Sequence, residues 1–186
     1  KGFGPSFIPT GSSAGIYSFG NEGANWIILD TLQGSLPPVV GYAIARIFYD
    51  ENTQTTYAGS WGQGVLELTD PMVTDFYTCE DGLPTIDGSC AIEKVNFNTR
   101  TSGLAVEPNG NLWASFDDAR PPLAVRGTDG AWQTPPNNIF PTDFRVVNLM
   151  IDDQGTKWMV LKDRGLMVYT ENNTPEDPLD GQVLLL

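Results

Sequence analysis

Two pairs of adjacent carboxylates, Asp117-Asp118 and Asp152-Asp153, are the side chains of this chain best suited to acid–base chemistry. A glycosidase needs two carboxyl groups that face each other across the scissile bond, and neighbours in the chain do not provide that geometry. Asp152 and Asp153 open a turn at residues 152–155, where aspartate is favoured because it hydrogen-bonds the local backbone. We therefore expect no catalytic residue and no enzyme activity.

The chain contains no histidine and only two cysteines. The commonest general base and transition-metal ligand is thus missing, and neither a Ser-His-Asp triad nor a tetrahedral zinc site is expected. An oxygen-rich segment at residues 171–180 offers calcium ligands. Its spacing does not match an EF-hand, and Pro175 and Pro178 interrupt it, so a solvated connection is the better interpretation. We expect no metal and no cofactor.

Charge excludes several classes of partner. Ten basic and 23 acidic residues give a net charge of −13, which argues against nucleic acid and against attraction to an anionic membrane surface. Solubility explains this charge, and binding of Ca²⁺ or a cationic partner is the alternative. No apolar run is long enough to insert into a membrane. The first residue is Lys1 and no signal peptide is present, so we expect a segment of a longer protein.

The two cysteines lie in one loop. Cys79 and Cys90 are separated by a stretch rich in Gly, Pro and Asp that the other repeats of the chain lack. In an oxidising compartment they can close this loop as a disulfide, and two buried thiols are the alternative. We favour the disulfide.

These side chains are positioned by a repeated pattern of short strands. In the clearest unit, apolar runs at residues 146–151, 157–161 and 165–169 are separated by tight turns. Two similar units precede it, in which Tyr57 and Trp113 stand where this unit has Trp158. A period near 50 residues with four short strands per unit indicates propeller blades, and no window has the 3.6-residue period of an amphipathic helix.

The predicted fold is all-β, an open β-propeller fragment of about three four-stranded antiparallel blades plus one extra strand. Trp26, Phe76 and Trp132 each begin an aromatic-led strand between these units. Grouping each such strand with the unit that follows predicts one partial propeller domain, 1–186, with the following parts: blades at 20–68, 72–126 and 130–170, the last strand of a preceding blade at 15–19, and a connection into a following blade at 171–186.

Two sequence elements resemble known propeller families. The sequence Asp-Gln-Gly-Thr-Lys-Trp at 153–158, with Gly-Leu-Met-Val-Tyr at 165–169, resembles the two-component-regulator type of propeller repeat. Related elements are Asn-Gly-Asn-Leu-Trp at 109–113 and Asp-Gly-Leu-Pro at 81–84. The sequences of residues 165–175 and 180–185 are most similar to PorZ-type propellers of the type IX secretion system of Bacteroidota, and this resemblance rests mainly on residues 144–186. The first unit departs from the motif, with Tyr57 in place of Trp.

The resemblance implies a non-enzymatic envelope protein, exported to the cell surface or periplasm of a Gram-negative bacterium. A PorZ-like component of type IX secretion would recognise a surface glycan, lipopolysaccharide, or a protein partner. The alternative is an oligosaccharide-sensing ectodomain of a hybrid two-component system, and a propeller glycosidase or lyase is the third choice. Expected partners are the remaining blades of the same or a neighbouring chain and this glycan or surface protein.

Topology predicts which face binds. In an antiparallel blade with strands a, b, c and d, the b-to-c turns and the long d-to-a loops lie on one face. Long irregular loops on a rigid scaffold are the usual place for binding, and an aromatic ring with amide and charged neighbours suits a sugar. The residues predicted to bind on this face are Trp61, Gln63, Asp117, Asp118, Arg120, Asp163 and Arg164.

Overall fold

The computed structural model describes residues 16–19, 26–29, 43–69, 72–86, 88, 90, 98–142, 144–171 and 180–186. Strands dominate this part of the chain. A two-stranded sheet is followed by three four-stranded antiparallel sheets, of which the first two are joined into one eight-stranded sheet by a short strand pairing. The fold is the predicted open β-propeller fragment. The two-stranded sheet is β1 (Ile16–Phe19) and β2 (Trp26–Leu29).

We name the four-stranded sheets the first, second and third blade. The first blade is β3 (Ile44–Asp50), β4 (Thr55–Gly62), β5 (Gly64–Thr69) and β6 (Met72–Tyr77). The second blade is β7 (Thr99–Val106), β8 (Leu112–Phe116), β9 (Leu123–Arg126) and β10 (Trp132–Gln133). The third blade is β11 (Val146–Ile151), β12 (Lys157–Leu161), β13 (Gly165–Thr170) and β14 (Gln182–Leu185). Short 3₁₀ turns lie at Cys79–Asp81 and Asn137–Ile139.

The structure groups the strands differently from the predicted blades 20–68, 72–126 and 130–170. Each aromatic-led strand pairs with the strand before it, so that β2 joins β1, β6 joins β5 and β10 joins β9. Residues 15–19 are therefore followed by one more strand of their sheet, and residues 171–186 include the fourth strand of the third blade. The reason is the length of the connections, because few residues separate each of these strands from its predecessor and many more separate it from its successor.

A side chain of the first blade links the innermost strands of all three blades. Each innermost strand has a register shift at the same place in its pairing with the second strand. Arg46 follows the shift in β3, and its guanidinium donates to the carbonyl oxygens of Ala45 at 2.8 Å, of Ser102 at 2.7 Å and of Val147. These three acceptors lie within the shifts of β3, β7 and β11, respectively. Arg46 thus joins the three innermost strands and sets the spacing between their blades.

Apolar side chains fill the spaces between blades. Tyr57 and Val65 of the first blade pack with Leu104 and Ala114 of the second. Between the second and third blades, Trp113 is fully buried in a cluster with residues of the third blade, which are Tyr169, Leu149, Met159, Leu161 and Met167. Burial of large rings between sheets is the main source of stability in such a stack.

The innermost strands approach each other closely at Gly103. A Cβ atom there would lie 2.4 Å from the backbone nitrogen of Leu149 and 2.7 Å from Ser115 Oγ. Only glycine has no such atom, so this residue permits β7 to pack against β11.

Candidate functional site

The predicted binding residues lie on one face because of a hydrogen bond that is repeated in every blade. A backbone N–H at the end of the second strand, or just after it, donates to a backbone carbonyl at the beginning of the innermost strand or just before it. The three bonds are Trp61 to Ala43 at 2.7 Å, Asp117 to Arg100 at 2.9 Å and Lys162 to Arg145 at 2.8 Å. The b-to-c turns are thereby held beside the ends of the d-to-a loops. We call the surface formed by these turns and by the described ends of these loops the loop face.

Trp61 and Gln63 lie where the first blade meets the second. The last two residues of β4 run beyond their own sheet and pair with β7, Trp61 opposite Arg100 and Gly62 opposite Thr99. Gln63 forms a bridge with Thr99. The side chain of Trp61 is only 9% exposed, so its ring presents little surface to a ligand and serves the contact between blades.

Asp117 is buried in an ion pair. Arg145 Nε donates to Asp117 Oδ1 at 3.0 Å, and a second guanidinium nitrogen donates to Oδ2. The hydrogen bond to Asp117 raises the pKa of Arg145 above its usual value. Because Asp117 follows β8 and Arg145 precedes β11, this bidentate pair ties the second blade to the loop that enters the third. A ligand on the loop face would meet Arg145 before Asp117.

The other residues predicted to bind on this face are exposed. Asp118 and Asp163 each adopt a left-handed backbone conformation, with φ of 62°, which aspartate tolerates better than most residues. Arg120 lies two residues after Asp118, and Arg164 directly follows Asp163. Asp118 lies 3.9 Å from Arg100 NH1. The b-to-c turns of the second and third blades therefore each present an aspartate and an arginine to solvent.

The predicted disulfide is present at the edge of the loop face. Cys79 and Cys90 are bonded, and their Cα atoms are 5.5 Å apart. The Cys79 turn begins with Thr78, whose hydroxyl accepts from the N–H of Glu80 while Asp81 accepts from the N–H of Thr78. This reciprocal cap and the disulfide fix the first part of the d-to-a loop that leaves the first blade.

The second carboxylate pair, Asp152-Asp153, lies on the opposite face. Asp152 accepts hydrogen bonds from the backbone of Gln154 and Thr156 and from Trp158 Nε1 at 2.8 Å. The bond from the indole is the largest cause of a lowered pKa for Asp152. The carboxylate thus stabilises its own turn, as the sequence predicts.

A cleft that was not predicted from the sequence opens on this opposite face. Its volume is 410 Å³, and it lies between the ends of β3, β7 and β11. Phe48, Val106 and Ile151 line its apolar side, and carboxylates at its rim include Asp50 and Glu107. These carboxylates have internal donors: Asp50 accepts from its own turn, and Glu107 accepts from Lys157 Nζ at 2.5 Å.

Within the described ranges, no three His, Cys, Asp or Glu side chains are grouped closely enough to hold a metal ion. None of the helices in these ranges has the length and hydrophobicity to cross a bilayer.

Comparison with known proteins identifies the fold. No protein-family model matches the chain, and no curated protein matches it. Among solved structures, PorZ, an essential surface component of the type IX secretion system of Porphyromonas gingivalis, has a TM-score of 0.69 over 95% of this chain at 19% identity. The extracellular domain described as a hybrid two-component system of B. thetaiotaomicron has a TM-score of 0.51 over 80% of this chain at 16% identity.

The chain has the β-propeller fold of both proteins. PorZ is of the kind that the C-terminal part of the sequence resembles, and the second protein is of the kind that the repeat motif resembles. The chain spans 24% of the length of PorZ and 18% of the length of the second protein. It therefore corresponds to a few blades of a larger protein in each case, and the similarity shows the fold alone.

Proposed function

We propose that this propeller segment is a non-enzymatic binding module of an exported envelope protein and that its loop face recognises a surface glycan of the lipopolysaccharide type. The observation that carries the proposal is the position of the exposed Asp118, Arg120, Asp163 and Arg164 in two adjacent b-to-c turns of a rigid scaffold. Carboxylates and guanidinium groups hydrogen-bond sugar hydroxyls, and guanidinium groups also bind phosphate. Residues in turns of this kind are the ones that binding proteins vary.

The fold comparison and the disulfide support the cellular location. PorZ is a bacterial surface component, and the second structure is an extracellular domain. Disulfides such as Cys79–Cys90 persist in oxidising compartments outside the cytoplasm. A PorZ-like role in type IX secretion is therefore our first choice.

The absence of catalysis is supported by the way the paired carboxylates are used. Asp117 is neutralised by Arg145, and Asp152 is hydrogen-bonded within its turn. On the opposite face, Asp152 and Asp153 line the cleft together with Asp50, Glu51 and Glu107. Asp50 and Glu107 also accept hydrogen bonds from within the chain.

Binding to lipopolysaccharide in detergent micelles tests the proposal. We expect Arg120→Gln and Arg164→Gln together to weaken binding at least about tenfold, because each loses a charge-assisted hydrogen bond. Asp153→Asn on the opposite face is the matched control and should bind as the unchanged chain does. Equal affinity of all three proteins, or no binding by the unchanged chain, would show that the loop face does not recognise this glycan. Capture of a surface protein by the same face, with no glycan bound, would favour a protein partner instead.

The second candidate is an oligosaccharide-sensing ectodomain of a hybrid two-component system, which the fold of the B. thetaiotaomicron domain supports. The sequence that continues this chain in its gene distinguishes the two. A β-sandwich sorting domain favours secretion, whereas a membrane-spanning helix followed by a kinase favours sensing.

A further inference from the structure

Basic side chains are concentrated on the loop face of an acidic chain. Eight lysine and arginine residues lie in the described ranges, and five of them are at the b-to-c turns or the innermost-strand starts of the second and third blades. Three described acidic residues lie there as well, so this part of the surface has more positive than negative charges, whereas the whole chain has a net charge of −13. The five basic residues are Arg100, Arg120, Arg145, Lys162 and Arg164, and the three acidic ones are Asp117, Asp118 and Asp163.

Arg100 and Arg145 occupy equivalent places in adjacent blades. The backbone carbonyl of each accepts the N–H of the residue that follows the second strand, which is Asp117 in the second blade and Lys162 in the third. Both arginines therefore lie at the loop-face end of an innermost strand. The carboxylate of Asp117 is near both of them, with Oδ1 3.0 Å from Arg145 Nε and Oδ2 4.0 Å from Arg100 Nη1. One carboxylate is thus shared by two guanidinium groups, and Lys162 adds a further positive charge beside Arg145.

Asp117 fixes the orientation of Arg145 and leaves part of its guanidinium available. A guanidinium has five N–H groups in one plane, and the bidentate pair uses one on Nε and one on a terminal nitrogen. The N–H groups on the other edge point away from Asp117. The side chain of Arg145 is 35% exposed and that of Asp117 is 1% exposed, so a ligand can reach the guanidinium but not the carboxylate. A fixed, planar guanidinium edge is the group that best fits the paired oxygens of a phosphate or carboxylate.

We propose that Arg145, positioned by Asp117 and assisted by Lys162, binds an anionic group, phosphate or carboxylate, of the glycan that the loop face recognises. This inference rests on the proposed function and names the chemical group that decides its specificity. Because Asp117 already orders the arginine, less side-chain entropy is lost when the ligand binds. The negative charge of the rest of the chain is screened over about 8 Å at physiological ionic strength, so the nearby positive charges decide what this surface attracts.

Lipopolysaccharide with its anionic groups removed tests this inference. Hydrofluoric acid removes phosphate esters, and carbodiimide followed by borohydride reduces carboxylates, so that two treated samples distinguish the two sources of negative charge. We expect at least one treatment to weaken binding of the unchanged chain in detergent micelles at least about tenfold, because the charge-assisted hydrogen bonds to Arg145 are lost.

Asp117→Asn together with Arg145→Gln removes both members of the ion pair, so that no unpaired charge stays buried. We expect this double variant to bind untreated lipopolysaccharide at least about tenfold more weakly than the unchanged chain does, and to bind the sensitive treated sample as well as the unchanged chain does. Lys162→Gln, at an exposed residue outside the pair, should show the same selectivity with a smaller change. Asp153→Asn on the opposite face is the control and should retain the full difference between the samples.

The outcomes separate this inference from the proposed function. Equal binding of the unchanged chain to untreated and to both treated samples overturns the inference and leaves glycan recognition by the loop face standing, whereas no binding to any sample overturns both. A loss of affinity in the double variant that is the same for untreated and treated samples also overturns the inference, because Arg145 would then act only by joining the blades. Should the double variant not fold, unchanged affinity of Lys162→Gln for untreated lipopolysaccharide overturns it.

Discussion

Arg46 is predicted to be the polar side chain on which the spacing of the three blades depends most. Its guanidinium donates to carbonyls of β3, β7 and β11. Arg46→Met retains most of the apolar stem and removes all three donors. A hydrogen bond from a charged donor contributes about 1.5–3 kcal/mol when buried. Because Arg46 is half-buried and the freed carbonyls can be hydrated, we expect about 1 kcal/mol for each bond and a total loss of about 3 kcal/mol.

Equilibrium urea unfolding measures this loss as a lower midpoint at an unchanged slope. The thermal midpoint should fall by about 6–12 °C for a chain of this size. Arg46→Lys should recover part of the loss, since an ammonium on a shorter stem cannot meet three carbonyls in the plane of a guanidinium. Arg164→Met, an exposed arginine, is the matched control and should change stability by less than about 0.5 kcal/mol.

Two results would refute the reasoning about Arg46. If Arg46→Met unfolded at the urea concentration of the unchanged chain, the three hydrogen bonds would contribute nothing net. If Arg46→Lys were as stable as the unchanged chain, one positive charge would be sufficient, and the bridging of three strands would not be the cause.

Three further outcomes are expected. Lys157→Met should lower the free energy of unfolding in urea by about 3–5 kcal/mol, because it leaves Glu107 as an uncompensated buried charge. Adding Glu107→Gln should recover part of this loss. Full stability of the single variant would contradict the prediction. The lowered pKa of Asp152 means that its ionised form stabilises the folded chain at neutral pH, and that this stability is lost as the pH falls through the folded-state pKa. The thermal midpoint of Asp152→Asn should therefore lie below that of the unchanged chain at pH 6 and approach it below about pH 4, whereas a constant difference would be inconsistent with this linkage. Reduction of the disulfide should cost about 3 kcal/mol for a loop of this length, and identical unfolding curves with and without reductant would count against it.

The fold and one covalent link could be predicted from the sequence. The repeated Tyr57, Trp113 and Trp158 predict strands of one register, and the structure places all three in the second strand of their blades. The disulfide between Cys79 and Cys90 could be predicted because both residues lie in one loop. Both inferences rest on neighbours in the chain, where spacing and residue type carry the information.

The predicted grouping of strands into blades was wrong by one strand, because the fourth strand of each blade was assigned to the blade that follows it. An aromatic residue within β6 or β10 does not show whether the strand pairs with its predecessor or its successor, and Phe76 lies near the end of β6 and not at its start as predicted. Trp61 was predicted to face a ligand, and the structure buries it because β4 runs on to pair with β7. Whether the exposed residues of the loop face bind a glycan stays a prediction.

The sequence by itself thus determined the class of fold, the turns and the disulfide, since these follow from residue types and repeated spacings that can be read along the chain. Only the tertiary structure decided which polar side chains join the blades. Arg46 and Val147 are 101 residues apart, and Lys157 and Glu107 are 50 apart. No local pattern marks such pairs, because an arginine or a glutamate that will be buried between sheets has the same neighbours in the chain as one that will face water. The packing of whole blades brings them together, and the desolvation of their charges then makes each partner necessary.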